Sequence, residues 1–253
     1  MHSVLSFHSL SLLFNPFHSP QKRMTFWEHL DVLRRHLWRM VVAALVAMVV
    51  CFCFKEQLFA VVLHPKPGFL NLINVDIAQQ FLTHMRVALL TGLLLTAPYL
   101  IYEIFAFVAP GLYAAERRVA VRALGGACLL FYGGVALNYF VIFPFTVRFL
   151  GSYQVSGEVE NLISLTSYVD LLMVMSLLMG VVFELPVLCW LLAKMGVLKP
   201  QFMSRYRRHA VVAILIVGAV ITPTGDPFTL SLVSVPIYLL YELSILIVKK
   251  NAK

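Results

Sequence analysis

The chain has 253 residues, 60% of them hydrophobic and 13% charged, with a formal net charge of +8. A soluble domain usually carries about a quarter charged residues, and no single water-facing core of this length hides so much apolar surface. The apolar residues run in long blocks, without the stripe of an amphipathic helix or the short alternation of a β-barrel, so the blocks read as helices that meet lipid or one another all round.

Residues 1–23 precede the first block. They hold Ser, His and Pro, with no positive charge ahead of a short apolar run and no small-residue cleavage site, so they make a poor signal peptide. They read either as a disordered extension or as sequence ahead of a start at Met24, and the second reading is favoured. Thr25 and Glu28 have the spacing of a capping box. They open an amphipathic helix with Leu30, Leu33 and Leu37 along one face.

A bilayer core about 30 Å thick takes about 20 helical residues. The first span is expected from Leu37 to Leu58. A Pro/Gly-rich stretch at 64–68 follows, and the loop continues to His84 with the pattern of a short interfacial helix. The second span is expected over Met85–Val108, and the third over Ala123–Phe145. A second outer loop covers Arg148–Thr166, and the fourth span Ser167–Ala193. The fifth, Ala210–Ile221, is only about 18 Å long as a helix, so it must thin the bilayer or be sheltered by neighbours. A tight turn at Thr222–Pro227 leads to the sixth span, Phe228–Val248. Pro98, Pro144, Pro186 and Pro236 fall inside spans, where each removes a helix hydrogen bond and favours a kink. The expected fold is an all-α integral membrane protein of six transmembrane helices, a kinked concave bundle with short spans five and six. Its divisions are the extension 1–23, the membrane domain 24–250 and the tail 251–253.

Lys and Arg set the orientation. Sixteen of the twenty fall before the first span, between spans two and three, between spans four and five, or after span six. Only Lys55, Lys66, Arg86 and Arg148 fall on the other side. Both termini are therefore expected in the cytoplasm, with the chain in the cell inner membrane. The basic residues match anionic lipid headgroups, and nucleic acid is not needed to explain the charge.

Four cysteines, Cys51, Cys53, Cys128 and Cys189, lie within apolar blocks and read as small buried hydrophobes. No zinc spacing and no phosphate-binding glycine loop occurs, and no cofactor is expected. Glu184 lies inside span four, just ahead of Pro186. An intramembrane carboxylate costs a few kcal/mol and marks a functional site by default. Glu103 and Glu242 follow Tyr102 and Tyr241 near span ends and read as interface anchors, as does Asp170. Asn138 is placed to bond between helices. Glu28 and Asp31, with Glu116 in the next loop on that side, are acidic groups on a basic face. They are read either as local charge balance or as a site for a cationic ligand. A proton-coupled secondary transporter using Glu184 is one functional reading. An intramembrane enzyme is disfavoured, because no His falls inside an expected span and no nucleophile–base pair or metal set appears there.

Several motifs occur together and in order. They are Trp27-Glu28-His29-Leu30 through Leu33-Arg34; Phe107-Val108-Ala109-Pro110-Gly111-Leu112-Tyr113 with Glu116-Arg117-Arg118; Asn138-Tyr139-Phe140 to Phe143-Pro144; Phe183-Glu184-Leu185-Pro186; Thr222-Pro223 with Asp226; and Pro236, Tyr238, Tyr241 and Glu242. With them the chain resembles TatC, the polytopic subunit of the twin-arginine protein translocase, over about Met24 to Lys250. The resemblance implies a receptor, not an enzyme. It would bind twin-arginine signal peptides of folded cargo at the cytoplasmic face and assemble with single-span TatA/TatB-type partners and with copies of itself. The proton-motive force would drive export. Carboxylates bind the planar arginine fork bidentately. Glu116 matches the family's loop carboxylate, with Phe107, Leu112 and Arg34 in the matching motifs. The family's second carboxylate, in an N-terminal Glu-Leu-Arg pattern, is Val32 here. Glu28 or Asp31 would have to substitute, although Asp31 is rotated about 100° from Val32. Glu184 matches the intramembrane carboxylate on the concave face. Asp226 belongs to the turn before span six, and Leu230 stands where many relatives carry a polar residue for partner contact.

Overall fold

The computed structural model describes residues 26–108, 117–154, 156, 161–222 and 224–251. The extension 1–23, Leu112, Glu116 and Pro223 lie outside them. Helix α1 spans Phe26–Cys53. Its half-buried and buried positions Val32, His36, Met40, Ala43, Ala47 and Cys51 recur at three- and four-residue spacing, as one helix face requires. Leu30, Leu33 and Leu37 do share a face, but they are 38%, 39% and 54% exposed. The packing face is the one led by Val32 and His36.

The chain breaks at Phe54, whose amide bonds back to the Cys51 carbonyl, and a short helix α2 follows over Lys55–Leu63. Span one therefore ends earlier than Leu58, and the short helix comes before the Pro/Gly stretch, not after it. Strand β1, Leu72–Ile73, pairs in parallel with β2, Ile163–Ser164, with Leu72 opposite Ile163 and Ile73 opposite Ser164. This ties the two loops expected on one side to each other. We call this the loop end of the bundle, and the opposite end, with most of the Lys and Arg, the basic end.

Helix α3 runs from Gln79 to Val108 and continues through Pro98. It starts six residues before the expected second span because Gln79 caps it, its side-chain oxygen accepting from the Val75 and Asp76 amides at 2.6 and 3.2 Å. His84 thus lies inside the helix. It is buried and stacked on Phe52 with ring centroids 4.2 Å apart. The expectation of no histidine inside a span is corrected here. Gln79, Thr83 and His84 are polar by type, yet all three are buried.

Helix α4, Arg117–Leu137, passes through a π-turn at Asn138–Ile142 into α5, Phe143–Ser152. Pro144 sits just after that turn, where its missing N–H is least costly. Helix α6 covers Leu165–Val182 and is capped by Ser164, which accepts from the Ser167 amide. A turn at Phe183-Glu184 separates it from α7, Leu185–Lys194, where Pro186 occupies the first turn. Helices α8, Pro200–Arg205, and α9, Arg207–Ile221, follow. Helix α10 spans Pro227–Asn251 and is unbroken at Pro236.

Five helical stretches among the described residues are long and apolar enough to cross a membrane, beginning at Leu30, Gln79, Ala123, Leu165 and Pro227. Helix α9, with 15 residues, reaches about 22 Å and falls short of a bilayer core. The sixth span is not short, because α10 has 25 residues, about 37 Å. The stretch α6–α7 is the centre of the bundle, with 44% of its most apolar window buried, against 6% for α1. Ile142, Met175, Met179, Ile214, Val233 and Ile237 join the π-turn, α6, α9 and α10 in one apolar core. A second core at the loop end gathers Val62, Val87, Phe143, Tyr168 and Leu172. Helix α1 lies outside both and rests on α3, where a Cβ on Gly92 would come within 2.7 Å of the Met48 nitrogen.

Candidate functional site

The predicted residues that lie among the described ones fall in three regions. At the basic end, α1 carries Glu28, Asp31 and Arg34, and α3 ends at Phe107 and Val108. Asp31 and Arg34 are exposed. Glu28 lies in the first turn of α1, with its side chain outside the described residues. Val32 is half-buried on the stripe that packs toward α3, one turn from His36. A carboxylate at position 32 would sit against that packing face, whereas Asp31 points away from it. Glu116 and Leu112 lie outside the described residues.

One relationship at this end was missed by sequence reasoning. Glu103 is not an interface anchor. It is only 3% exposed, and both carboxylate oxygens are used. Tyr99, one turn away on α3, donates its hydroxyl to Oε1 at 2.6 Å. His36 of α1 places Nδ1 against Oε2. The imidazole also packs edge-on against Phe107, with centroids 6.1 Å apart. A buried carboxylate needs such partners, since leaving one charge unpaired costs several kcal/mol. The Tyr99–Glu103 spacing of four residues was visible in the sequence. The histidine lies 67 residues away and had no signal there.

The second region is intramembrane. Glu184 occupies the turn between α6 and α7, and its Oε1 is buried with no hydrogen-bond partner among the described residues. The turn arises because Pro186 cannot continue the hydrogen bonding of α6. Asn138 is fully buried in the π-turn and donates to Ser176 Oγ at 2.9 Å, while its own Oδ1 has no partner among the described residues. This is the interhelical bond expected of it. The arrangement leaves polar atoms with spare capacity inside an apolar bundle, suited to receiving a polar group from another helix or water.

Asp226 and Leu230 lie at the other end of the bundle. Asp226 caps α10, accepting from the Thr229 amide at 2.7 Å and the Thr224 hydroxyl at 2.7 Å. Gly225 turns the chain there with φ of +62°. Burial works to raise the Asp226 carboxyl, but these hydrogen bonds to its charged form win and hold it below its ordinary value. Leu230 is half-buried and faces Gly218 of α9, where an added Cβ would meet its Cδ1 at 3.0 Å. The structure therefore separates Asp226 and Leu230 from the basic-end group. Two further carboxylates are paired: Asp170 with Arg86 at 2.7 Å and Glu242 with Arg207 at 2.8 Å. No cluster of metal-ligating side chains occurs among the described residues.

Known proteins share this architecture. Residues 28–236 match the family model described as Sec-independent protein translocase protein (TatC). A protein of that name from Carboxydothermus hydrogenoformans is 30% identical over 90% of this chain and 94% of its own. One from Deinococcus radiodurans is 36% identical over 87% of this chain and 84% of its own. A crystal structure of a twin-arginine translocase receptor, TatC, superposes with a TM-score of 0.77 at 28% identity, covering 89% of this chain and all of that one.

Proposed function

The chain belongs to the TatC family of Sec-independent protein translocase proteins, and from that membership we propose that it is the receptor core of a twin-arginine translocase. It binds twin-arginine signal peptides at the basic end, which faces the cytoplasm together with both termini. It organises TatA/TatB-type single-span partners, and the proton-motive force drives export of folded cargo. In this reading the short α9 also crosses, as the fifth of six spans, since an even number of spans brings both termini to the side where most Lys and Arg lie. The observation that carries the reading is the likeness to the solved twin-arginine translocase receptor along that receptor's whole length.

In the recognition step, Glu116 accepts an arginine guanidinium bidentately, and Asp31 or Glu28 takes the place of the carboxylate absent at Val32. Asp31 is exposed and lies off the stripe that packs on α3. Glu184 meets a polar group of a partner helix on the concave face.

Complementation of a translocase-deficient bacterium tests the proposal. The gene, supplied with a matched set of small partners, should restore export of a folded reporter carrying a twin-arginine signal and not of one carrying twin lysine. Glu116→Ala should abolish cross-linking to the signal peptide while leaving membrane insertion intact. Failure to export with any partner set would sink the receptor reading and favour the proton-coupled transporter, and equal export of both reporters would refute recognition of the twin arginines.

A further inference from the structure

The basic end holds a charged surface that the receptor reading does not use. From Met195 to His209 the sequence carries Lys199, Arg205, Arg207 and Arg208 and neither Asp nor Glu. Arg207 is paired with Glu242 of α10. Arg205 and Arg208 are exposed, and no carboxylate among the described residues pairs with either. They flank Tyr206, where α8 gives way to α9. Beside them runs an exposed row of rings. Phe202 and Tyr206 have centroids 4.6 Å apart, and Tyr206 and His209 5.3 Å.

Depth decides what such a surface meets. Met203 of α8 is buried against Ile245 and Val248 of α10, and its carbonyl accepts from Tyr241. Helix α8 is therefore level with the last turns of a stretch apolar enough to cross a membrane, which ends at Lys250. In those turns Leu243 and Leu246 are exposed, as lipid-facing side chains are. This is the boundary between acyl chains and headgroups, where tyrosine rings concentrate. A guanidinium there keeps its charge and is only weakly hydrated, so it needs an anion. Phosphate fits its planar fork bidentately. The two uncompensated charges favour a headgroup of net negative charge, because the cation of a zwitterionic headgroup would oppose them.

We propose that the α8–α9 junction is a binding site for an anionic phospholipid, with Arg205 and Arg208 holding the headgroup phosphate and Phe202 and Tyr206 lying against the lipid's apolar part. Bound there, the lipid anchors the entry to α9, the helix too short to span a bilayer core. The inference is independent of peptide recognition.

The test offers the detergent-solubilised full chain phosphatidylglycerol and phosphatidylcholine of matched acyl chains together, and reads the retained lipid by native mass spectrometry. Wild type should retain phosphatidylglycerol in preference. Arg205→Gln with Arg208→Gln should weaken that retention by about thirtyfold, equivalent to about 2 kcal/mol, or about 1 for each basic residue. Lys249→Gln with Lys250→Gln removes the same charge from the end of α10 and should leave the preference intact. A photoreactive phosphatidylglycerol should label wild type within Phe202–His209, a readout that stands even where the arginine variant does not fold. Equal retention of the two lipids by wild type would overturn the proposal, as would labelling confined to other segments or an equal loss in the lysine variant. Full phosphatidylglycerol retention by the arginine variant, with loss of an acidic partner protein, would assign the surface to a protein segment instead.

Discussion

Gly134 of α4 meets α6 at backbone contact: a Cβ built there would lie 2.6 Å from the Met179 carbonyl oxygen and 2.7 Å from the Phe183 ring. The approach is reciprocal, because a Cβ on Gly180 of α6 would lie 2.8 Å from the Phe131 ring of α4. Small residues allow this in membranes, where packing replaces the hydrophobic effect as the attraction between helices. Gly134→Val should therefore force α4 off α6, with an overpacking cost of about 1–3 kcal/mol. The thermal midpoint of the detergent-solubilised protein should fall by several degrees. Gly133→Val is the matched control, since a Cβ at Gly133 meets nothing within 4 Å. Equal midpoints for the two variants would refute the close-packing account.

Glu184 leads to a prediction of opposite sign for stability and activity. Its Oε1 is buried and unpartnered in the turn between α6 and α7. Removing such a group relieves a desolvation cost. Glu184→Leu should raise the thermal midpoint modestly, by about 1 kcal/mol of added stability, and leave twin-arginine peptide affinity unchanged. Export of a folded reporter, or co-purification of a TatB-type partner, should drop by at least about tenfold. A variant that is both less stable and fully active would show that the carboxylate has a structural partner and no role in transport.

The helices themselves were legible in the sequence, because apolar blocks of bilayer length leave few alternatives and the turn residues around Thr222–Pro227 mark an end. Their limits were less so. Gln79 to His84 looked like loop because the stretch is polar, yet Gln79 supplies the cap of α3 and Phe52 covers His84. The break at Phe54 has no Pro or Gly to announce it. The π-turn begins at Asn138, whose partner Ser176 is 38 residues away. In the candidate site, residue type singled out Glu184 at once. The pairing of His36 with Glu103 could not be found that way. It exists only because α1 lies along α3, which Gly92 lets approach to the backbone of Ala47 and Met48.

Asp226 should show a pH dependence of known direction. Hydrogen bonds from Thr229 and Thr224 hold its carboxyl below the ordinary carboxylate value, against the effect of burial. A folded-state pKa below the unfolded one stabilises fully above the unfolded value, about 3.9, and the stabilisation is lost as pH falls through the folded value. Asp226→Ala should cost about 1 kcal/mol at neutral pH, the usual loss for an N-cap. The gap in thermal midpoint between wild type and Asp226→Ala should be constant from pH 7 to about 5 and close at lower pH. Asp226→Asn keeps an acceptor for the Thr229 amide, so it should lose less stability than Asp226→Ala and show no such closure. A gap that widens on acidification would contradict the assignment of the charged form as the capping species.

Arg207 and Glu242 make a further test, because they join the start of α9 to the far end of α10. Their guanidinium–carboxylate distance is 2.8 Å, with side chains 48% and 28% exposed, and Tyr238 also donates to Glu242 at 3.1 Å. Pairs this open are worth about 0.2–1 kcal/mol, since water and salt screen them. The geometric consequence outweighs the energy. Helix α9 is too short to span a bilayer core on its own, so what holds its two ends matters more than for a full-length helix. At the loop end it has the capped turn at Asp226. At the basic end it has this pair, together with α8, which Tyr241 pins through the Met203 carbonyl at 2.8 Å. A double-mutant cycle of Arg207→Gln and Glu242→Gln should give a coupling of no more than about 1 kcal/mol in thermal stability, and less in high salt. Proteolysis or hydrogen exchange confined to α9 should nevertheless rise several-fold in either single variant. Unchanged exchange along α9 in both would mean that apolar contacts of Ile214 and Ile221 with α6 and α10 alone keep the short helix in place.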